Sequence, residues 1–238
     1  MNGLGCFFDG FQLVRRPGLR RYVVAPFLIN VFVLFFLLGL SSAYFDNWIE
    51  IVGGWFPVWL SVFSWIIWVF SLGLLIAINF FAFTFIANII GSPFNSILSV
   101  KVEEELTGFI TDSGGSLWGI IPRTVARELS KLRFFLPKLL GLLIITFIPA
   151  LNIIAPFLWV FFGAWMMCFQ YSDYAADNNN ISFSELRSRI SNRRFHALAF
   201  GVPIYFVMSV PFVNLLLMPV GVAGGTRLWV EHLRQPEP

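Results

Sequence analysis

The stretch IVGGWFPVWLSVFSWIIWVFSLGLLIAINFFAFTFIANIIGSPFNSILSV, residues 51–100, contains no aspartate, glutamate, lysine or arginine. As a single α-helix it would be about 75 Å long, more than twice the roughly 30 Å thickness of a bilayer's hydrocarbon core. Three further windows lack charged residues in the same way: 22–45, 139–172 and 195–226. Windows of this kind predict helices that cross or enter a membrane.

The composition excludes most soluble classes. Of the 238 residues, 58% are hydrophobic and 12% are charged, whereas a globular chain is about 25% charged. Intrinsic disorder, a secreted disulfide scaffold and a cytosolic enzyme are therefore excluded. Cys6 and Cys168 lie far apart in the sequence, so we expect free thiols. The sequence predicts an all-α integral membrane protein.

The basic residues cluster beside the charge-free windows, at 15–21, 123–138 and 187–194. Under the positive-inside rule, these clusters and the amino terminus lie in the cytoplasm and contact lipid head groups. The net charge of +3 is too small to indicate a nucleic-acid partner.

One membrane domain, residues 1–238, is expected to contain eight segments. They are an N-terminal amphipathic interfacial helix with an anion-binding helix start (1–21), a first span (22–45), a long second span extending beyond the bilayer (58–106), a basic amphipathic helix region (107–138), a first hairpin (139–172), an Arg-rich connector helix (173–194), a second hairpin (195–226) and a tail (227–238). The first span is longer than a signal-peptide core, so it is expected to be retained.

The first segment carries an apolar stripe at helical spacing. This stripe suits the membrane interface, and docking on the protein's own core is equally compatible with it. Its members are Leu4, Phe7, Phe8, Phe11 and Val14.

The third and fourth windows share a pattern. PALNIIAP (149–156) and PFVNLLLMP (211–219) both read Pro-x-x-Asn with a second proline. Their arms are short for a full crossing, and a turn within the membrane must be buried in protein or face water. Two re-entrant helical hairpins are therefore predicted, with ordinary hairpins in a thin bilayer as the alternative. Paired, proline-interrupted apolar segments also indicate a transport site.

Sequence signals for catalysis are weak. His196 and His232 are the two histidines, and neither has zinc-ligand spacing. No P-loop, nucleophile elbow or dinucleotide fingerprint is present. The three acids at 103–105 point around a helix rather than toward one site, which is typical of a solvated helix end. We expect no enzyme activity, no metal and no cofactor.

The RPGLRR segment (16–21) favours an anion site. Pro17 suits the first position of a helix, which would leave the amides of Gly18, Leu19 and Arg20 as free donors. The guanidinium groups of Arg20 and Arg21 match tetrahedral oxyanions. A positive-inside anchor explains the arginines equally well.

Other candidate residues are distributed along the chain. Arg123, Arg127 and Lys131 give one helix face a cationic stripe, whose repulsion a lipid phosphate, an acid such as Glu103, or a permeating anion would offset. Amides expected at membrane depth are candidates for function or for interhelical hydrogen bonding. They are Asn30, Asn88, Asn95, Asn152 and Asn214.

Six motifs together resemble the CysZ family of bacterial inner-membrane sulfate permeases over nearly the whole chain. Each is weak alone, and their shared order is specific. They are RPGLRR (16–21), ANIIGSPFN (87–95), PRTVARELSKL (122–132), PALNIIAP (149–156), QYSDYAADN (170–178) and RSRISNRR (187–194).

The resemblance implies a multi-pass protein of the bacterial inner membrane. This protein would be a sulfate channel that supplies sulfate for cysteine synthesis without ATP hydrolysis. The resemblance also implies two long transmembrane helices, two partly penetrating hairpins, and a homo-hexamer whose protomers insert in both orientations, which conflicts with the single orientation predicted above. The family's sulfate site falls on Gly18, Leu19, Arg20 and Arg21, and pore lining is implied for Glu103, Arg123 and Arg127.

The leading hypothesis is thus a passive channel selective for sulfate, with sulfite or related oxyanions as further substrates. Pore lining is also predicted for Asn30, Asn88 and Asn95. The alternatives are a scaffold or regulatory protein that binds anionic lipid through its arginine clusters, a proton-coupled sulfate symporter, and an enzyme acting on lipid head groups.

Overall fold

The computed structural model describes residues 2–55, 64–109, 117–210 and 213–234, with side chains throughout except at 64, 88, 117–125 and 213–216. Within these ranges the chain forms α-helices and a final π-helical turn, Trp229–Leu233, and contains no strand. The all-α prediction is confirmed for this part of the chain. The helices are α1 (Gly3–Val14), α2 (Arg21–Gly54), α3 (Ser64–Thr107), α4 (Leu117–Phe147), α5 (Ala155–Asn178), α6 (Phe183–Asn192), α7 (Arg194–Met208) and α8 (Val213–Leu228).

The chain divides into two compact units. The smaller unit is Val24–Phe94, which contains most of α2 and the first part of α3. The larger unit combines Met1–Val23 with Asn95–Pro238. The candidate sulfate segment and both predicted hairpins belong to the larger unit.

The two long helices are apolar and exposed. The most apolar 18-residue windows of α2 and α3 are only 11% and 6% buried, and Phe32 and Phe70 are 69% and 76% exposed. A core helix of a soluble protein would bury such residues. Lengths of about 51 and 66 Å suffice to cross a bilayer. The two helices therefore indicate a membrane protein.

Both long helices differ in extent from the predicted spans. The first span was expected to end at residue 45, but α2 continues to Gly54. It continues because Asp46 and Asn47 are exposed on its surface, so neither forces a break. The second span was expected to begin near Val58, which lies outside the described residues, and α3 is described from Ser64. Within the smaller unit, Ser41 donates a 2.9 Å hydrogen bond to the side-chain oxygen of Asn79.

Helices α1, α5, α7 and α8 form the core of the larger unit. Phe169, Phe200 and Trp229 are almost completely buried there. Glycines allow the backbones to approach closely, because a Cβ on Gly201 would overlap the carbonyl of Ala164 on α5. Close approach at small residues is the usual packing mode of helices in membranes.

We expect Gly201→Ala to destabilise the protein by about 1–3 kcal/mol, because its methyl group would force α7 and α5 apart. The matched control is Gly141→Ala on α4, where a Cβ meets no atom within 4 Å. That substitution should be neutral or stabilising by up to about 1 kcal/mol. Thermal unfolding in detergent measures both, and equal melting temperatures for the two variants would show that the α5–α7 contact is not tight.

Helix α1 docks on the core through a face that includes only part of the predicted stripe, since Phe7, Phe11 and Val14 pack against the core. Phe7 is buried, but Leu4 and Phe8 are 41% and 56% exposed. The buried face also uses small residues, since a Cβ on Gly3 would overlap the His196 carbonyl of α7 and one on Gly10 the Val220 carbonyl of α8. The contacts therefore favour docking on the protein's own core, and an interfacial position remains a prediction.

The two predicted hairpins coincide with breaks between helices. Turns occupy residues 148–154, between α4 and α5, where the Trp159 indole donates a 3.0 Å hydrogen bond to Thr146 across the turn. The tip is apolar and exposed, with Phe147 at 83% and Ile153 at 74%, which suits contact with hydrocarbon. Membrane penetration remains a prediction.

The apparent repeat is not exact in the structure. Pro156 begins α5, a position where proline is favoured, whereas Pro219 lies inside α8. In the second hairpin, α7 ends at Met208 and a turn begins at residues 209–210. Residues 211–212, which include the first proline of the pattern, lie outside the described residues, and α8 begins at Val213. The shared sequence pattern therefore places its second proline differently in each hairpin.

Two segment boundaries differ from the prediction. The expected division at 138/139 is absent, because α4 runs without a break from the basic region into the hairpin arm. The connector expected at 173–194 is divided, since α5 extends to Asn178 and α6 begins at Phe183. In both places the helix continues past the change in polarity, because adding a residue to an existing helix is far less costly than starting a new one.

Candidate functional site

The RPGLRR segment forms a tight turn between α1 and α2. A helix was expected from Pro17, but α2 begins at Arg21. Bonds between residues three apart form the turn, with the amides of Leu19 and Tyr22 donating to Arg16 and Leu19 at 3.0 Å each. Such bonds often tighten the first turn of a helix. The Leu19 side chain is 2% exposed and anchors the turn in the core.

The backbone donors of this turn are fewer than expected. The amides of Leu19 and Arg20 both donate to the Arg16 carbonyl, at 3.0 and 3.1 Å, so the prediction that they are free is wrong. Within the described residues, the Gly18 amide has no acceptor. A Cβ at Gly18 would meet nothing within 4 Å. The turn thus presents one open amide in exposed backbone.

The arginine side chains of the turn differ in their partners. Arg16 pairs with Glu105 of α3 at 2.5 Å. Arg20 donates through Nε to the Arg15 carbonyl, and the Arg21 guanidinium lies 4.8 Å from the Tyr22 ring centroid. In the part of the chain that the structure describes, no carboxylate pairs with Arg20 or Arg21, and both are exposed. Two adjacent cations therefore remain available to an external anion.

The cationic stripe of α4 has protein partners that the sequence analysis did not name. Arg127 donates to one oxygen of Asp173 at 2.6 and 2.9 Å and to the Ile181 carbonyl at 2.6 Å. Lys131 pairs with the other Asp173 oxygen at 2.5 Å. Asp177 lies 3.4 Å from Arg127. Asp173, on α5, is the main anion that offsets the repulsion within the stripe.

A sequence signal for this pairing exists. Asp173 and Asp177 have the i,i+4 spacing of Arg127 and Lys131, so each pair lies on one helix face. Burial alone would lower the pKa of Lys131, but the carboxylates of Asp173 and Glu128 together outweigh it and raise that pKa above its usual value. Lys131 therefore remains charged at neutral pH.

A polar seam follows one face of α3 in the larger unit. It consists of Asn95, Ser99 and Glu103, at i, i+4 and i+8, and all three are buried. The Asn95 amide lies 3.5 Å from the Tyr174 hydroxyl, and the Ser99 and Thr226 hydroxyls are 2.8 Å apart.

Glu103 ends the seam with no exposed surface. Asn179 donates to its carboxylate at 2.8 Å, and Arg234 lies 3.6 Å from it. The acid was interpreted first as a solvated helix end, which its burial contradicts. These contacts offset the desolvation cost of burying a carboxylate.

The remaining candidates for pore lining or membrane-depth hydrogen bonding differ in exposure. Asn30 is buried and Asn152 is exposed. The side chains of Asn88, Arg123 and Asn214 lie outside the description. A pore-lining role remains a prediction for Asn30, Asn88, Asn95 and Arg123. It also remains a prediction for Arg127 and Glu103, whose side chains already form hydrogen bonds or ion pairs with other protein groups.

A cluster near the carboxyl terminus brings together potential metal ligands. Ligand atoms of Cys6, Glu231 and His232 lie within 4.8 Å of one another. Burial, reinforced by the Glu231 carboxylate, raises the pKa of the Cys6 thiol to about 12, so a metal would have to displace a firmly held proton. Arg227 pairs with Glu231 at 2.7 Å. The ion pair between Arg227 and Glu231 therefore explains this cluster without requiring a metal ion.

Comparison with known proteins identifies the family. The family model described as Sulfate transporter CysZ/Etoposide-induced protein 2.4 matches residues 6–219. The chain belongs to this family. The match includes the RPGLRR turn, both long helices and both hairpin turns.

Curated CysZ relatives resemble the chain along almost its full length. Proteins named Sulfate transporter CysZ are 41% identical in Pseudomonas aeruginosa, over 94% of this chain and 92% of the relative. The Pectobacterium atrosepticum protein of that name is 36% identical, over 98% of this chain and 86% of the relative. The predicted resemblance to CysZ is confirmed, and these relatives are named as transporters rather than enzymes.

Proposed function

We propose that this protein is a passive sulfate channel of the bacterial inner membrane that supplies cysteine synthesis. One observation carries the proposal: Arg20 and Arg21 are exposed, have no carboxylate partner among the described residues, and follow the open backbone of Gly18 by two and three residues in the same turn. The names of the CysZ relatives support sulfate as the ion, and the exposed apolar helices α2 and α3 support a membrane location.

The capture step needs replacement donors. A bare divalent oxyanion cannot enter hydrocarbon, because removing its water costs tens of kcal/mol. Planar guanidinium groups offer paired N–H donors that match tetrahedral oxyanions. In the proposed site, Arg20 and Arg21 supply these donors and Gly18 supplies one amide, while Leu19 fixes the turn. One amide and two exposed side chains bind weakly enough for the ion to leave, as conduction requires.

The proposed path beyond the turn follows the polar side chains of α3. Asn95 and Glu103 belong to the buried seam, and Asn88 precedes it by two helical turns. Side chains without exposed surface do not contact a permeating ion, so conduction along the seam requires its helices to separate. Asn30, Arg123 and Arg127 complete the proposed lining. Assembly into a homo-hexamer is part of the same proposal.

Proton-coupled symport is the second candidate function. Buried Glu103 favours it, because ionisable groups inside membrane proteins often carry protons. For a passive channel, an imposed proton gradient should change the initial rate of sulfate uptake into proteoliposomes by less than twofold. A tenfold stimulation that Glu103→Gln abolishes would contradict the channel. Glu104→Gln is the matched control, since this acid pairs with Lys101 at the protein surface, at 2.6 Å.

A further inference from the structure

A basic groove lies between α4 and α6, away from the RPGLRR turn in the sequence. Its volume is about 450 Å³, within the range of small-ligand sites. Three cations line it, Arg133, Lys138 and Arg187, together with three serine hydroxyls and the Phe134 ring. The proposed sulfate path uses none of these residues.

Two of the three groove cations lie over one ring. The Lys138 ammonium lies 3.5 Å from the Phe134 centroid, and the Arg187 guanidinium lies 5.2 Å from it. Partial burial and the charge of Arg187 lower the pKa of Lys138. Two cations over the same ring repel each other, although each also gains a cation–π contact with Phe134.

The acidic residues nearest in sequence to the groove cations form ion pairs with other basic residues. Glu185, in the first turn of α6, pairs with Arg189 at 2.9 Å, and Glu128 pairs with Lys131 at 2.7 Å. Across the described ranges, no carboxylate forms an ion pair with the three groove cations. The groove therefore has a net positive charge that an anionic ligand would neutralise.

The start of α6 adds neutral donors to the groove. Ser182 caps this helix by accepting a 3.2 Å hydrogen bond from the Glu185 amide, and its hydroxyl lies 2.9 Å from that of Ser184. Ser130 contributes a third hydroxyl from α4. Hydroxyl groups and the positive end of a helix dipole are common partners of phosphate oxygens.

An exposed apolar stripe on α4 runs beside the groove. It consists of Leu129, Leu132, Leu136 and Leu140, which are 41–63% exposed. Their spacing of three or four residues places them on one helix face, and Arg133 borders that face. The surface thus joins an anion site to a hydrocarbon-compatible strip, which is the chemistry of a phospholipid rather than of a free ion.

We propose that this groove binds the phosphate of an anionic phospholipid, whose acyl chains lie along the leucine stripe. Arg133, Lys138 and Arg187 neutralise the headgroup, the serine hydroxyls hydrogen-bond to its oxygens, and the lipid holds α4 and α6 together at the membrane surface. The lipid site is independent of the sulfate path.

Native mass spectrometry of the purified protein in detergent, titrated with dioctanoyl phosphatidylglycerol, tests this proposal. We expect Lys138→Gln/Arg187→Gln to weaken binding about 30-fold, since each removed cation near an anionic lipid accounts for about one factor of five to six. The matched control is Arg193→Gln/Arg194→Gln, which removes two exposed arginines of the same basic segment that do not line the groove. General attraction of the segment to lipid would be lost in this variant too, whereas binding in the groove should change by less than twofold. Arg133→Gln alone should weaken binding about fivefold.

Three results would overturn the proposal. The first is equal lipid affinity in the groove and control variants at equal melting temperature. The second is equal binding of dioctanoyl phosphatidylcholine, because a zwitterionic headgroup should not satisfy three cations. The third is displacement of the lipid by inorganic phosphate with an affinity equal to that of the lipid, which would make the groove a site for free oxyanions.

Discussion

Replacing both Arg20 and Arg21 with alanine is expected to reduce sulfate uptake into proteoliposomes at least tenfold. The reason is that the two guanidinium groups are exposed, adjacent and without a carboxylate partner among the described residues. A hydrogen bond to a charged group contributes about 1.5–3 kcal/mol, so the loss of two such donors exceeds a factor of ten in affinity. Initial rates of labelled sulfate uptake measure the effect.

Two further variants separate recognition from charge. Arg20→Lys/Arg21→Lys retains both charges but loses the planar paired donors, so we expect uptake between that of the wild type and the alanine variant. Arg193→Ala/Arg194→Ala removes two exposed cations from another segment and should transport normally. Full activity in the lysine variant would favour an electrostatic lipid anchor over oxyanion recognition.

Replacing Asp173 with alanine is expected to destabilise the protein by about 3 kcal/mol, because it removes the shared anion of two largely buried cations, which keep only Asp177 and Glu128 as acidic partners. Arg127 and Asp173 are 9% and 7% exposed, and Lys131 pairs with the same carboxylate. Size scaling of unfolding enthalpies converts this loss to a fall of roughly 10 °C in melting temperature. Thermal unfolding of the detergent-solubilised protein measures it.

Asp46→Ala provides the matched control, since Asp46 is an exposed acid on α2. Its melting temperature should differ from that of the wild type by no more than about 2 °C, as expected for a surface substitution. Equal melting temperatures for the Asp173 and Asp46 variants would show that the Asp173 carboxylate does not hold α4 to α5.

The helical architecture could be predicted because its signals are local. Charge-free windows are visible in the sequence, and they coincide with the apolar helices α2 and α3. Proline and asparagine at 149–152 likewise coincide with the turn between α4 and α5. These features follow from the preference of each residue for water or for hydrocarbon. They can therefore be predicted without knowing the tertiary contacts.

Helix ends and helix faces were harder to predict. The polar pair at Asp46 and Asn47 resembles a stop signal, yet α2 continues to Gly54 because both side chains are exposed. On α1, the buried face follows Gly3 and Gly10, which permit close approach of α7 and α8. A hydrophobicity pattern does not distinguish a glycine at a helix crossing from a glycine on the surface.

The partners of the candidate-site residues depend on distant parts of the chain. Arg127 and Asp173 are 46 residues apart, so the sequence offered lipid, Glu103 or a permeating anion as equally reasonable partners. The exposed pair Arg20 and Arg21 could be predicted because RPGLRR is a local motif. The occupation of the Leu19 and Arg20 amides by the Arg16 carbonyl depends on the exact turn, which the sequence alone did not specify.

The most direct test of the central claim is uptake of radiolabelled sulfate by liposomes that contain the purified protein, without ATP or an imposed ion gradient. A passive channel should admit sulfate well above the rate of empty liposomes, driven by the sulfate gradient alone, and Arg20→Ala/Arg21→Ala should reduce this entry at least tenfold. Sulfate entry no faster than in empty liposomes, from protein shown to be folded and inserted, would contradict the channel and favour a lipid-binding scaffold.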